Sequence, residues 1–280
     1  MSGHTIEPHP IGHGISPAGT PAADQIRDRF VSDLLAVMGA PEFLWIAQKG
    51  DTTTSTELSN NTDTITWDAT VASRLGGLGS GMKQNFDASD DEGDSPDSDD
   101  HSFGDSTVDV PMTVFALVEA DDATPAADAT IISKWNEDTD GELREWRFLL
   151  SGTNGYPRFE QYDDTNNGYI GREDQTALTA DTWTMVSATS NGAGTSAGIN
   201  VQVNAVALDD ADSASGTYVA MNNTTAVLSI GHNLSAASSP VAEGFWDGDM
   251  ACIGIARKAL SIEELWIIKS LFNSYYDLSL

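Results

Sequence analysis

The stretch Glu145-Trp146-Arg147-Phe148-Leu149-Leu150 places bulky apolar side chains at every second position, with charged residues between the first of them. Successive side chains of a β-strand point to opposite faces of its sheet, so this period of two predicts a strand with one buried face and one face in water. Residues 199–204, which read Ile-Asn-Val-Gln-Val-Asn, repeat the pattern. The chain therefore contains at least two half-buried strands.

Other short apolar runs lie on either side of these two strands. Residues 112–118 and 227–230 are more continuously apolar, as expected for central strands. Clusters of Asp, Gly, Asn and Thr separate the runs at residues 137–141, 151–155 and 163–168 and predict turns. Roughly a dozen strands at this spacing predict an all-β, two-sheet antiparallel sandwich that begins near residue 42.

Residues 87–105 are the most acidic stretch and have no sustained apolar content, which predicts a loop. Asp87 and Asp91 give it a superficial likeness to a calcium-binding loop. An EF-hand needs Gly at the sixth position and Glu at the twelfth, where this chain has Glu92 and Ser98. An EF-hand is thus excluded. Ca²⁺ at a site of another kind stays open, and no other cofactor is expected.

An amphipathic helix is predicted before the sandwich. Four apolar residues recur every fourth position and would form one face of it: Ile26, Phe30, Leu34 and Met38. Gly39 and Pro41 end the pattern. Residues 1–19 have no apolar period and predict an irregular arm, and no metal is expected at its three histidines. The sequence therefore divides into an arm and helix over 1–41 and a sandwich over 42–280.

Two roles are open for the helix face that these four residues would form. It could pack on the chain's own sandwich, or it could dock on another subunit as an oligomer or attachment surface. A second helix follows Ser261, which forms a predicted capping box with Glu264. Its apolar stripe and the apolar end of the chain are expected to be packed rather than exposed.

The charge balance is the strongest compositional feature. The 280 residues include 43 acidic and 13 basic side chains, a formal charge of −30. Such a surface repels nucleic acid phosphate and anionic lipid headgroups, so no nucleic acid binding is expected. The sequence also has no run of about 18 apolar residues, so no membrane insertion is expected. Self-repulsion is screened in concentrated salt, which favours a salt-adapted host over a dedicated cation-binding surface. The single cysteine, Cys252, excludes an intrachain disulfide.

An ordered series of segments resembles the laminin-G-like, concanavalin A-like lectin and glucanase superfamily, in the form found in viral and prokaryotic surface proteins. Residues 85–91, Asn-Phe-Asp-Ala-Ser-Asp-Asp, are similar to the family's Phe-Asp-Gly-x-Asp-Asp segment. Residues 131–135, Ile-Ile-Ser-Lys-Trp, match its Ile-x-Ser-Lys-x strand, and residues 259–265 match its C-terminal segment. The resemblance covers about residues 42–270 and implies a jelly-roll sandwich.

The resemblance also implies that a carbohydrate is the ligand to look for. Sugar binding uses aromatic faces together with a few polar groups, and six such residues stand at predicted strand ends beside loops: Trp135, Asn136, Tyr162, Asp163, Tyr169 and Arg172. Trp146 and Trp183 are expected in the core. A position in the core is also the alternative to sugar binding for Trp135. The glucanases of the family carry a Glu-x-Asp-x-(x)-Glu motif on one strand, which this chain lacks, so no catalytic residue and no enzyme activity are predicted.

Three functions are open from the sequence. The first is a non-enzymatic virion structural protein, a capsid turret, decoration or tail-associated component, that displays a lectin-like domain to host surface glycans and contacts itself and other virion proteins. The second is a cellular carbohydrate-binding or adhesion module at the cell surface. A glycoside hydrolase is the last. Repeated copies of a weak sugar-binding module on a virion surface would gain avidity.

Overall fold

The computed structural model describes residues 23–48, 53–59, 61, 63–68, 75–137, 143–206, 210–234 and 242–280. The predicted arm over residues 1–19 lies outside these ranges. Between the two helices the regular structure of the described residues is β-strand, apart from two short 3₁₀ helices at Asp99–His101 and Ser196–Gly198. Its strands, in chain order, are β1 (Pro41–Ile46), β2 (Thr54–Thr56), β3 (Thr64–Trp67), β4 (Leu75–Leu78), β5 (Gly81–Asp87), β6 (Gly93–Ser95), β7 (Met112–Ala120), β8 (Ala129–Asn136), β9 (Leu143–Leu150), β10 (Pro157–Asp163), β11 (Gly168–Glu173), β12 (Thr184–Ser190), β13 (Ile199–Val203), β14 (Ala211–Ser215), β15 (Leu228–Ile230), β16 (Asn233–Leu234), β17 (Ala242–Glu243) and β18 (Asp247–Ala256).

The strands form two sheets, and the fold is the predicted two-sheet antiparallel jelly-roll sandwich. Sheet A has the order β13-β12-β7-β18-β5-β4, and β1 also pairs with β18. Sheet B has the order β14-β11-β10-β9-β8-β15-β6-β3-β2, with the short β16–β17 hairpin joined to β8. Among the strands that the structure describes, pairing is antiparallel apart from one parallel bridge between Leu234 and Asn136.

Sheet A is covered on both faces. Along β7, Val114, Ala116 and Val118 belong to the core between the two sheets. Phe115 and Leu117 point the other way, into a second apolar cluster that the two helices share with sheet A. A strand buried on both faces has no need of polar residues, which explains why residues 112–118 read as a continuous apolar run.

The first helix, α1 (Ala23–Met38), ends at Gly39, which has φ of +69° and donates a hydrogen bond to the Leu35 carbonyl. Glycine adopts this left-handed conformation without a steric penalty, so the predicted helix end is confirmed. Phe30, Leu34 and Met38 are buried in the cluster that α1 shares with sheet A and the second helix. Ile26 is partly buried beside them. Within this chain the predicted helix face thus packs on its own sandwich, while the attachment role and the boundary at residue 41 stay predictions.

The second helix, α2 (Ile262–Tyr276), begins with the predicted capping box. The Ser261 hydroxyl accepts from the Glu264 amide, and the Glu264 carboxylate accepts from the Ser261 amide. Tyr275 and Tyr276 belong to the helix and are buried, so the C-terminal aromatic residues are packed as expected. Among the described residues, neither helix is both long and apolar enough to cross a membrane.

The acidic stretch over residues 87–105 was predicted as a loop, and this is wrong for part of it. Residues 93–95 form β6, which pairs with β3 on one side and β15 on the other. A Cβ on Gly93 would lie 2.3 Å from the Trp67 ring, so this close approach requires glycine. Backbone hydrogen bonds to both neighbouring strands hold β6 in the sheet. Its sequence has no alternation of apolar residues, so the strand could not be predicted from the sequence.

Candidate functional site

A cavity of about 290 Å³ opens on the outer face of sheet B, across strands β8 to β11. The inward side chains of these strands, among them Trp146, Phe148 and Phe159, fill the core between the sheets. Their outward neighbours surround the cavity. We call it the outer pocket, and it is lined by Trp135, Glu137, Arg144, Arg147, Arg158, Glu160, Tyr162 and Tyr169.

A β-bulge brings two arginines to the same side of β9. Strict alternation would place Arg144 on the face of Trp146, which is in the core. Lys134 pairs with Trp146, but the next residue, Trp135, pairs with Arg144, so Glu145 is an extra residue in β9. Beyond this extra residue the side chains change face, and Arg144 joins Arg147 in the outer pocket.

The two arginines stack on two aromatic rings. The guanidinium carbon of Arg144 lies 3.6 Å from the centre of the Tyr162 ring, and that of Arg147 lies 4.3 Å from the centre of the Trp135 ring. The two rings meet edge to face, 5.4 Å apart. These cation–π contacts hold the flat guanidinium groups against the pocket wall and leave their edges as hydrogen-bond donors.

Carboxylates fix the arginines from the side. Glu160 accepts a hydrogen bond of 2.7 Å from Nε of Arg147, and its other oxygen lies 3.1 Å from Nε of Arg158. Arg158 also donates to Asp128. Burial alone would lower the pKa of Arg147, but the carboxylates of Glu160, Glu137 and Asp128 together more than offset burial and raise that pKa. The guanidinium group is therefore a permanent cation.

The remaining pocket residues are positioned by their polar ends. Nε1 of Trp135 donates to Glu137 at 2.7 Å, the Tyr162 hydroxyl donates to Asn167, and the Tyr169 hydroxyl lies 3.2 Å from the Ser213 hydroxyl. Trp135 and Tyr162 are buried, whereas Tyr169 is half-buried. Tyr169 thus offers more ring surface to a ligand than the other two rings do.

Three of the six residues predicted to bind a sugar come together in the outer pocket: Trp135, Tyr162 and Tyr169. Asn136, Asp163 and Arg172 do not line it. Asp163 accepts hydrogen bonds from Asn166 and from the Val219 amide and so holds a turn. Arg172 connects the edges of the two sheets, because it bonds to Asp212 and to the Ile199 carbonyl.

The three arginines and two glutamates of the pocket were missed by the sequence reasoning. One signal could have found the arginines. Three of the 13 basic residues of this acidic chain fall within residues 144–158. The position of Arg144 could not have followed from alternation, since it depends on the bulge at Glu145.

The carboxylates on the described strands are not arranged for the acid–base catalysis of a glycosidase. Glu145 is buried and bonded to Lys134, Ser102 and Thr224, whereas Glu160 lies in the outer pocket between two arginines. The two carboxylates therefore do not face a common cavity, as the paired acids of a glycosidase would. Burial raises the pKa of Glu145, and its partner Lys134 opposes this shift.

Three carboxylates converge in the acidic turn after β5. One oxygen from each of Asp87, Asp90 and Asp91 lies within 4.8 Å of the others. Carboxylate oxygens are the ligands that Ca²⁺ prefers, so these residues fit the calcium site that the sequence left open. Asp91 also accepts a hydrogen bond of 2.8 Å from the Asp87 amide, which shapes the turn without an ion.

No family model matches this sequence, and no curated protein matches it. The chain shares its fold with toxin binding domains. The binding domain of Paraclostridial Mosquitocidal Protein 1 superposes with a TM-score of 0.56 at 12% identity, over 85% of this chain and 53% of that one. The botulinum neurotoxin serotype D ligand binding domain in complex with N-acetylneuraminic acid gives 0.54 at 12% identity, over 85% and 52%. The serotype G binding domain gives 0.54 at 11%, over 84% and 51%.

These similarities establish the β-sandwich architecture. The chain spans about half the length of each of these binding domains. At this level of identity the likeness extends to the fold and not to individual residues. The outer pocket is therefore interpreted from its own chemistry.

Proposed function

We propose that this chain is a non-enzymatic carbohydrate-binding module that binds a saccharide in the outer pocket. One observation carries the proposal. Three aromatic residues chosen from the sequence as sugar contacts line one cavity, together with arginine and glutamate side chains. Such a set offers a ring face, hydrogen-bond donors and hydrogen-bond acceptors to the hydroxyl groups of a sugar.

The size of the cavity limits the ligand. At about 290 Å³ it lies just below the usual range of small-molecule sites, about 300–1,000 Å³. It would hold a terminal sugar rather than a long stretch of polysaccharide. Its half-buried ring, Tyr169, is the residue we assign to stacking. The similar structures are binding domains, one of them a ligand binding domain, which supports a binding module in general.

A glycan array probed at high salt tests the proposal, followed by calorimetric titration of the best saccharide. We expect Tyr169→Ala to weaken binding about fivefold or more, because a stacking contact on an aromatic ring is lost. The matched control is Phe245→Ala, which removes a half-buried aromatic residue that stacks on His232 and does not line the outer pocket. Absence of binding to every glycan, or equal affinity of Tyr169→Ala and the unchanged protein, would overturn the proposal.

We propose the surface of a virion from a salt-adapted host as the setting, with the cell-surface module as the alternative. The charge of −30 supports the salty medium. A cluster of exposed apolar residues on α2 supports contact with a second copy of the chain: Ile262, Trp266 and Ile267. High salt screens repulsion between two acidic copies but leaves apolar attraction in place. The packing of α1 on its own sandwich supports the alternative.

Sedimentation equilibrium distinguishes the two settings. We expect a dimer or larger oligomer in about 1 M KCl, where the Debye length is about 3 Å, and monomers in about 0.1 M KCl. Trp266→Glu should abolish this association. Val219→Glu, at another exposed apolar residue outside the patch, should not change it. A monomer at both salt concentrations would overturn assembly through α2 and favour the cell-surface module.

A further inference from the structure

The outer pocket gathers positive charge in a chain that has very little of it. Of its eight lining residues three are arginines, while the whole sequence has 13 basic residues against 43 acidic ones. Arginine side chains rarely converge without a reason, because like charges repel and each group must be desolvated. Here the ring contacts and the Glu160 ion pairs offset that cost.

Donor groups remain for a ligand. Among the described residues, Arg147 forms one hydrogen bond, from Nε to Glu160, and its Nη1 lies 4.0 Å from Glu137. Arg158 forms one hydrogen bond, from Nη2 to Asp128. Each guanidinium has five N–H groups in a planar fork, so both side chains keep amino N–H groups that these contacts do not use.

Binding of an anion in this pocket would depend more on hydrogen bonds from nearby side chains than on the negative charge of the whole protein. Glu137 and Glu160 line the cavity, and Asp128 and Asp164 bind the outer edges of the arginines, so four carboxylates accompany the three guanidinium groups. Anion binding here therefore depends on the directed N–H groups of the arginines and not on an excess of positive charge. In concentrated salt the Debye length is about 3 Å, and the negative charge of the distant surface is screened. Partly buried, charge-assisted hydrogen bonds are screened much less, so an anion at the fork of Arg147 and Arg158 would still be held.

We propose that the outer pocket selects a saccharide that carries a carboxylate, and that Arg147 and Arg158 bind this group. The inference rests on the proposed sugar-binding function and specifies its ligand class. The planar carboxylate matches the planar guanidinium fork, and two parallel N–H···O bonds form from one side chain. The half-buried Tyr169 ring lies in the same cavity, where the sugar ring can pack.

The experiment compares matched sugars. Calorimetric titrations use an oligosaccharide that ends in glucuronic acid, the same oligosaccharide with the carboxylate reduced to the alcohol, and a sulfated counterpart. We expect the acid to bind about tenfold more tightly than the alcohol, the factor that about 1.4 kcal/mol provides. Tighter binding of the sulfated sugar than of the acid would overturn the carboxylate assignment. Equal binding of acid and alcohol would overturn the selectivity but leave the sugar site intact, whereas no binding of any of them would count against the sugar site itself.

Three variants complete the design. Arg147→Gln and Arg158→Gln are expected to remove most of the preference for the acid while the neutral sugar still binds. Arg29→Gln, on α1 and 85% exposed, removes the same charge far from the pocket and should keep the full preference. Urea unfolding of each variant separates loss of folding from loss of selectivity. A folded Arg147→Gln variant that keeps the tenfold preference would overturn the role of Arg147.

Discussion

The guanidinium group of Arg147 lies over the Trp135 ring, with 4.3 Å between the guanidinium carbon and the ring centre. The ring is only 3% exposed, and Tyr162 contacts it edge to face. A sugar could not stack on Trp135 without displacing Arg147. The contribution of Trp135 to binding is therefore indirect, because it holds a cationic side chain in position rather than touching the ligand.

Replacement of Trp135 tests this indirect role. We expect Trp135→Leu to weaken binding of the saccharide about fivefold, since a cation–π contact of about 1 kcal/mol no longer restrains Arg147. Calorimetric titration of the folded variant measures the change. Phe245→Leu, at a half-buried aromatic residue outside the outer pocket, is the control and should bind as the unchanged protein does. Unaltered affinity of Trp135→Leu would mean that the ring does not position Arg147.

Lys134 is fully buried and has three acceptors for its three N–H groups. Nζ lies 2.8 Å from Asp97, 2.8 Å from Glu145 and 2.9 Å from the Thr224 carbonyl. Lys134→Met is expected to lower the free energy of unfolding by about 3–5 kcal/mol, because Glu145 would be left as an uncompensated buried charge. Urea unfolding at constant salt measures this.

A second substitution checks the physical reason for that loss. Lys134→Met combined with Glu145→Gln should be more stable than Lys134→Met alone, since the amide keeps hydrogen-bond partners at Thr224 without a charge. Lys258→Met, which removes a half-exposed ion pair with Glu264, should cost less than about 1 kcal/mol. A double variant no more stable than the single one would contradict the buried-charge explanation.

His101 makes the stability depend on pH. Burial, followed by the nearby Lys134, lowers the pKa of His101 from 6.5 to about 4. As the pH falls from 6.5 to about 4, the unfolded chain binds a proton at this residue that the folded chain does not bind. The contribution of His101 to the free energy of unfolding is therefore fully present above pH 6.5. It is lost as the pH falls to about 4, a decrease of about 3 kcal/mol for this residue.

Comparison with His101→Gln isolates this contribution from that of the many carboxylates. Urea unfolding at several pH values across the window should show a smaller loss of stability for the variant than for the unchanged protein. The difference between the two losses is expected to be about 3 kcal/mol. Parallel pH profiles would show that His101 is accessible to protons in the folded state.

Phe30 reports whether α1 is docked in solution. Its ring stacks on that of Tyr275, with centroids 4.1 Å apart and an angle of 5° between the ring planes. Phe30→Ala should lower the free energy of unfolding by about 3–5 kcal/mol through the cavity it leaves. The exposed neighbour Arg29→Ala should change it by no more than about 0.5 kcal/mol. A small effect of Phe30→Ala would mean that α1 does not contribute to the stability of the sandwich.

Several elements could be read from local sequence. The alternation over residues 145–150 predicted β9, the run over 112–118 predicted a central strand, and Ser261 with Glu264 predicted the start of α2. These predictions succeeded because strand alternation and helix capping are set by backbone geometry within a few residues. The all-β class follows from their number and spacing.

The outer pocket depended on tertiary structure. Its residues come from four strands and from Glu137, directly after β8, and their meeting requires the register between those strands and the extra residue at Glu145. Strand β6 also depended on tertiary structure, because it is defined by pairing with β3 and β15 and not by an apolar pattern in its own sequence. The sequence by itself determined which residues prefer strand or helix and that the surface is strongly acidic. Tertiary structure decided which side chains meet, because cross-strand neighbours depend on register and bulges between distant segments, which local periodicity does not specify.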